Sequence, residues 1–127
     1  MNLINLTPHK INLVDASSVE FDNIAKCYRI PEGKRAIISH TIPSSGVCRC
    51  TTHQTVVFEE DGIQFLETSY GEIQGLPEPK KDTIYIVSAI VALAGRRLGR
   101  DDLAIATNMV KSNDGRTIIG CTSLSIR

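Results

Sequence analysis

Ser88 is the residue whose type and position most clearly indicate binding chemistry. It separates the β-branched and aromatic run Thr83–Val87, which favours an extended strand, from Ala89–Ala94, which favours a helix. Serine is a good N-cap, and the first backbone N–H groups of a helix lack partners within it, so they attract anions such as phosphate. Simple capping is the alternative role. This stretch carries no glycine-rich loop, which excludes a Walker motif and a dinucleotide fingerprint.

Arginine side chains are the natural partners for a phosphate at Ser88, because the planar guanidinium group binds phosphate oxygens in pairs. An arginine at a helix end often does no more than offset the helix dipole. The sequence leaves open which arginines converge on one place. The candidates are Arg35, Arg49, Arg96, Arg97, Arg100 and Arg116.

Two tyrosines and a histidine are predicted to complete the binding site. Tyr70, Tyr85 or His9 would offer a ligand a stacking or hydrogen-bonding surface. His9 follows Thr7-Pro8, so a stiff turn sets its position, and a hydrogen bond that locks this turn is the alternative role. The predicted ligand-binding residues are Ser88, Arg100, Tyr85, Tyr70 and His9.

The spacing Cys48-x-Cys50-x-x-His53 is the pattern that comes nearest to a metal site. Structural zinc needs four ligands, and on a strand the two cysteines point to one face and His53 to the other. The fourth ligand would have to come from Cys27, His40 or Cys121. We therefore predict two buried cysteines, a surface histidine and no bound metal.

Catalytic signatures are missing from the sequence. A nucleophilic cysteine needs a nearby base and an electropositive setting, but Arg49 beside Cys48 projects to the opposite face of a strand. The chain has no Gly-x-Ser-x-Gly elbow. The carboxylates of residues 59–61 fall in a predicted hairpin tip, where solvation explains them. Asp101-Asp102 follows Arg100, so an ion pair or a helix-end cap competes there with acid–base chemistry. The sequence predicts a protein that is not an enzyme and uses no cofactor.

Composition places the chain among single-domain globular proteins, with the domain spanning residues 1–127. Its 14 basic and 14 acidic residues cancel, so the overall field argues against a nucleic-acid polymer or a membrane as partner. A secretory signal is not visible at the N-terminus. The four cysteines lack framework spacing, so we predict reduced thiols in a cytoplasm.

The elements that must position these residues are mostly strands. Alternating strands are half-buried, and a helix that is apolar on every side must lie buried against their apolar face. The prediction is an α+β fold: a mostly antiparallel, curved or barrel-like sheet with one or two helices, one of them after the strand Thr83–Val87. Many exposed strand edges also favour a homo-oligomer.

The remaining elements are predicted from alternation and turn residues. Two short strands flank Thr7-Pro8-His9, and residues 15–34 form an excursion or a short strand pair. Further strands are expected at Arg35–Ile42, at Val47–Phe58 with a break near His53-Gln54, at Ile63–Tyr70 after a hairpin turn, and at 104–111 and 117–126, with a loop at residues 71–79 and a bulge at Gly120.

Several segments together resemble a family of small proteins from bacteriophage and prophage genomes, most of which have no assigned function. The resemblance touches both ends of the chain and its middle, and it carries no catalytic residue to transfer. The matching segments are Asn5-Leu-Thr-Pro-His9, Tyr70-Gly-Glu-Ile-Gln-Gly-Leu-Pro-Glu-Pro79, Tyr85-Ile-Val-Ser-Ala-Ile-Val-Ala92, Arg100-Asp-Asp-Leu103 and Gly115-Arg-Thr-Ile-Ile-Gly120.

The resemblance implies a function by context. Small phage proteins without catalytic machinery include anti-defence sponges that sequester a host's nucleotide immune signal, such as the cyclic ADP-ribose binders, which are homo-oligomers with pockets between protomers. The leading hypothesis is therefore a non-enzymatic binder of a small phosphorylated nucleotide. A second is a protein-interaction module that inhibits or adapts a host or virion protein through the Pro77–Lys81 loop and open sheet edges. A third is a hydrolase that uses His9 or a cysteine.

Overall fold

A computed structural model describes residues 1–126 of the chain. Within that range one α-helix, α1, spans Ala89–Arg97, and a short 3-10 helix spans Ala16–Ser18. The strands are β1 (Asn2–Asn5), β2 (Ile11–Val14), β3 (Glu20–Asp22), β4 (Cys27–Arg29), β5 (Ile38–Ile42), β6 (Arg49–Glu60), β7 (Ile63–Gln74), β8 (Thr83–Ile86), β9 (Leu103–Lys111) and β10 (Ile118–Ser125).

The main sheet has eight strands and is mixed. Six of them follow the order β1-β8-β9-β10-β2-β5, and the β3–β4 hairpin joins this path where β4 pairs with β9. β1, β8 and the start of β9 run parallel, whereas β9 and β10 form an antiparallel pair. The longest strand pair, β6 with β7, forms a second, separate sheet.

A β8-α1-β9 crossover forms the centre of the fold. β8 and β9 are parallel neighbours, so the connection between them must bring the chain back to the end of the sheet at which β8 begins. α1 lies in this connection. The buried side of α1 and the apolar residues of β8 and β9 form the main core. Its buried members are Leu6, Cys48, Tyr85, Val87, Val91, Ala92 and Leu103.

The prediction that α1 is buried on every side is wrong. Val91, Ala92, Ala94 and Gly95 are buried, but the opposite side of the helix is open to solvent. Ile90 and Leu93 are both about half exposed there, at 45% and 49%. β9 of the main sheet and strands β6 and β7 of the second sheet lie beside the helix, but they leave this face uncovered although its residues are apolar.

The hairpin of β6 and β7, which we call the arm (Arg49–Gln74), is the most extended feature. Its register pairs Arg49 with Gln74 at the base and Glu60 with Ile63 at the tip. The turn residues Asp61 and Gly62 have positive φ angles of 52° and 75°, as a two-residue hairpin turn of the primed type requires.

The arm is longer than the strands predicted from the sequence. The predicted loop after Tyr70 is wrong over its first part, because β7 continues to Gln74. The expected break at His53-Gln54 is also absent from the described β6. The register instead shifts between Cys50 and Thr52 and between Val56 and Phe58.

Other predicted elements are confirmed. The fold is α+β, and a helix directly follows the strand that begins at Thr83. Residues 15–34 contain a short strand pair, and the register of β10 shifts at Gly120 as a bulge there predicts.

The sheet arrangement differs from the prediction of a mostly antiparallel, barrel-like sheet. Over residues 1–126 both sheets are open, and four strand pairs are parallel and four antiparallel, so the arrangement is mixed and not a closed barrel.

The helices of the described chain are short. With nine residues, α1 is about 13 Å long, which is well below the thickness of a bilayer's hydrocarbon core. None of the helices in residues 1–126 is long and apolar enough to cross a membrane.

Candidate functional site

Ser88 caps α1 as its position in the sequence predicts. Its backbone is extended, with φ −67° and ψ 160°, and its Oγ accepts a hydrogen bond from the N–H of Val91 at 3.4 Å. The Ser88 carbonyl accepts the first helical bond, from Ala92. Because a helix leaves its first N–H groups without carbonyl partners, those of Ala89 and Ile90 remain available to an acceptor at this exposed end.

One arginine reaches the start of α1. Ser88 and Arg49 line the same cleft of about 360 Å³, which we call the Ser88 cleft. In the described chain neither ion pair involves Arg49, so its guanidinium is available there to an anion. The walls of the cleft are otherwise small and largely apolar: Pro8, Val47, Cys48, Cys50, Thr51 and Ile90.

A second cleft, of about 300 Å³, lies on the other side of Ser88. Its lining is mainly apolar, with Ile105 and Met109 from β9, and it includes Thr7. The helix start therefore lies between two shallow clefts, and only the one with Arg49 has a basic side chain in its lining. Arg49 is the candidate arginine that the structure places beside Ser88.

Tyr70 and Arg100 lie at the other end of α1. They line a cleft of about 610 Å³ together with Leu76 and Leu98. The guanidinium of Arg97 lies over the Tyr70 ring, 4.8 Å from its centroid. Ser88 and Arg100 are thus separated by the length of the helix, and the structure does not bring together the predicted set of ligand-binding residues.

Arg100 already has a carboxylate partner. Its Nε and one terminal nitrogen donate to the two carboxylate oxygens of Asp102 at 2.9 and 2.8 Å. This paired geometry lowers the pKa of Asp102, chiefly through the hydrogen bond from Arg100. The ion pair that the adjacent charges suggested is confirmed.

Tyr85 belongs to the core. The residue is fully buried, at 0% exposure, and its hydroxyl donates to the carbonyl of Glu78 at 3.2 Å. That bond ties the proline-containing loop after β7 to the centre of the sheet. A buried ring has no face for a ligand, so in this structure Tyr85 supports the fold and does not provide a stacking surface.

His9 lies on an exposed turn and lines neither of the two clefts that contain Ser88. It lines a cleft of about 340 Å³ with residues of β2, β9 and β10, among them Asn12 and Met109. Its carbonyl oxygen, rather than its ring, takes part in locking the turn, because it accepts hydrogen bonds from Asn5 and Thr7. Hydrogen bonds do lock the turn, but they use the backbone of His9 and not its side chain.

Asn5 organises this turn, and residue-by-residue reasoning missed it. Its side chain is completely buried and donates to the carbonyls of His9 at 2.8 Å and Ile42 at 3.1 Å. Its Oδ1 accepts from the N–H and the hydroxyl of Thr7. The turn places Pro8 at the edge of the Ser88 cleft, so Asn5 positions part of that wall. An asparagine two residues before a threonine is typical of an Asx-turn, and this spacing is the sequence signal for the role of Asn5.

The cysteines behave as packing residues. All four are free thiols, and burial raises the pKa values of Cys48 and Cys121. The Cys50 thiol contacts the Gly71 carbonyl at 3.4 Å, while His53 is exposed on the arm. A raised thiol pKa opposes nucleophilic chemistry. Among residues 1–126, no three His, Cys, Asp or Glu side chains cluster in a way that could hold a metal.

Comparison with known proteins adds no relative. The chain matches no family model, no curated protein and no solved structure.

Proposed function

We propose that this chain is a non-enzymatic binding protein that takes a small phosphorylated ligand in the Ser88 cleft. The observation that carries the proposal is the shared lining of one cleft by the N-terminus of α1 and the unpaired Arg49. The helix supplies the outward N–H groups of Ala89 and Ile90, and the arginine supplies a guanidinium that binds phosphate oxygens in pairs.

A nucleotide fits the chemistry of the cleft better than inorganic phosphate. Pro8, Val47 and Ile90 give the cleft an apolar side on which a base or sugar face can lie. Its volume of about 360 Å³ is at the small end of the range for ligand sites, which favours a mononucleotide or a compact cyclic nucleotide.

The resemblance to phage proteins supports a biological role for such binding. A phage-encoded binder present in the cytoplasm of an infected bacterium would sequester a nucleotide immune signal and so act as an anti-defence sponge. A sponge binds its ligand without converting it. The raised pKa values of the Cys48 and Cys121 thiols, and a Ser88 hydroxyl that caps the helix, agree with binding without catalysis.

Titration calorimetry against cyclic and linear adenine nucleotides tests the proposal. Arg49→Gln should weaken binding at least tenfold, because it removes the guanidinium and keeps a similar side-chain size. Arg116→Gln is the matched control, since Arg116 is an exposed arginine in the β9–β10 turn, and it should bind as the wild type does.

Ser88→Asp separates anion binding from helix capping. Aspartate caps a helix as well as serine does and suits the helix dipole, so thermal stability should hold or rise. Its negative charge should nevertheless repel a phosphate and abolish binding. If the folded wild type gives no heat with any nucleotide, or if Ser88→Asp binds normally, the proposed site is wrong.

A protein-interaction module is the second candidate, and the exposed apolar arm favours it. The Pro77–Lys81 loop is a weaker contact surface than expected, because Tyr85 holds the carbonyl of Glu78. If a pull-down from host lysate recovers one stoichiometric partner and the chain binds no nucleotide, the results favour this function.

A further inference from the structure

The outer part of the arm is exposed along its whole length. Every residue from Thr51 to Ser69 is exposed, and β6 and β7 pair only with each other. A lone two-stranded ribbon is at best marginally stable in water, because it cannot bury enough apolar surface. An arm of this length therefore needs a partner to cover it.

Apolar side chains lie on both faces of the arm. Phe58 pairs with Phe65, and their rings stack with centroids 4.5 Å apart on the face that also carries Ile63. Val56 pairs with Leu66 on the other face. All five side chains are 42–58% exposed, so a partner can gain contacts by covering either face.

Charge is unevenly divided between the arm and the remainder of the chain, which we call the body. Arg49 is the one basic residue of the arm against five acids, which gives a net charge of −4 with His53 neutral. Because the whole chain balances at zero, the body carries +4. Two arms would repel each other, whereas an arm and a body attract. The five acidic residues are Glu59, Glu60, Asp61, Glu67 and Glu72.

The body offers one apolar surface of matching character. Ile90, Leu93 and Arg97 are spaced at i, i+3 and i+7, so they share the uncovered face of α1, and all three are exposed. Leu98, 75% exposed, extends this surface at the helix end. It combines apolar side chains with the positive charge of Arg97, whose guanidinium also lies over Tyr70 of its own chain, and so it complements an apolar, acidic arm.

We propose that the arm of one copy packs across the exposed face of α1 on a second copy, so that the chain assembles as a homo-oligomer by exchange of arms. The ten residues Thr51–Glu60 span about 33 Å, and two strands are about 10 Å wide, so each face offers roughly 300 Å². The exposed face of α1 is about 13 Å long and covers part of one arm face, and a reciprocal exchange makes this contact twice.

Sedimentation equilibrium and native mass spectrometry of the full chain test the proposal. At micromolar concentration the wild type should have a mass of at least two chains, whereas Phe58→Ser/Phe65→Ser should have the mass of one chain. The matched control is Ile24→Ser/Ile37→Ser, which removes exposed apolar side chains outside both the arm and α1 and should keep the wild-type mass. Circular dichroism verifies folding of each variant.

A second variant locates the receiving surface. Leu93→Glu puts a negative charge on the exposed helix face, where it meets the acidic arm, and should also give the mass of one chain. A wild type that stays monomeric, alone or while binding a different protein, overturns the proposal. An arm variant that keeps the oligomer, or a control that loses it, also overturns it. Because Ile90 lines both the Ser88 cleft and this helix face, the mass is measured without ligand, and Arg49→Gln, which leaves both apolar surfaces intact, should keep the oligomer.

Discussion

At the scale of single residues, Asp102 is the titrating group whose environment has the clearest consequence for stability. Arg100 holds its pKa below the ordinary value, so the folded state favours the ionised carboxyl more than the unfolded state does. The resulting stabilisation is complete above the unfolded pKa of about 3.9 and is lost as pH falls through the lower folded pKa.

Asp102→Asn should therefore destabilise the protein in a pH-dependent way. At neutral pH we expect the free energy of unfolding to fall by about 2 kcal/mol, because two charge-assisted hydrogen bonds to a largely buried Arg100 are weakened. As pH falls below the unfolded pKa of about 3.9 and through the lower folded pKa, the difference from wild type should shrink, since the wild-type carboxyl is then protonating. Urea unfolding across pH measures both effects.

The neighbouring carboxylate provides the control. Asp101 is exposed, so Asp101→Asn should change the free energy of unfolding by less than about 0.5 kcal/mol at any pH. A constant difference between Asp102→Asn and wild type from neutral to acid pH would contradict the ion pair as its cause.

Residue roles that depend on near neighbours were predictable, and those that depend on distant ones were not. The cap at Ser88 and the Arg100–Asp102 pair both form within a few residues, where residue type and spacing decide the geometry. Asn5 bonds to the carbonyl of Ile42, 37 residues away, and Tyr85 is buried by strands on either side. The bond to Ile42 and the burial of Tyr85 leave no local pattern, whereas the contact between Asn5 and Thr7 does.

At the scale of elements, Gly120 shows how strand packing constrains a single position. Gly120 lies in β10, which runs beside β2, and a Cβ there would come within 2.4 Å of the Asn12 carbonyl oxygen. That neighbour is backbone and cannot rotate away. Gly120→Ala should therefore force the strands apart and cost about 2 kcal/mol in chemical unfolding.

Gly95→Ala is the matched comparison, because the atom nearest to a Cβ at Gly95 belongs to a side chain and not to the backbone. The added Cβ there meets the end of the Leu103 side chain, which can change rotamer. Alanine also favours a helix over glycine by about 1 kcal/mol, which offsets the adjustment. We expect a near-neutral effect at Gly95. An equal cost at both positions would show that the close approach of Asn12 is not decisive.

Element types followed from the sequence, but their surroundings did not. Alternation and turn residues indicated the strands and the single helix, while the length of the arm was hidden because Gly71 looked like a loop residue. The Gly71 position is instead adjacent to Thr51, whose hydroxyl is the nearest atom to a Cβ there. Whether a helix face is covered depends on what lies beside it, and apolar residues alone do not determine that.

At the scale of the whole molecule, a net charge of zero conceals two oppositely charged parts. The acidic arm and the basic body cancel in the total, so composition alone suggested no electrostatic partner. The same division gives a reason for assembly between copies. If arm and body of different copies bind each other, then folding and association are linked, and the stability of the chain depends on its concentration.

That linkage predicts a concentration-dependent melting temperature. Raising the concentration tenfold should add up to about 1.4 kcal/mol of stability per associating interface, which amounts to a few degrees in a domain of this size. A variant in which a short turn replaces residues 53–68 should melt at a temperature independent of concentration, because those residues are all exposed and their removal leaves the body's core intact. Calorimetric scans over a hundredfold range measure both. A wild type whose melting temperature does not move with concentration would contradict the exchange of arms, even if the Ser88 cleft still binds its ligand.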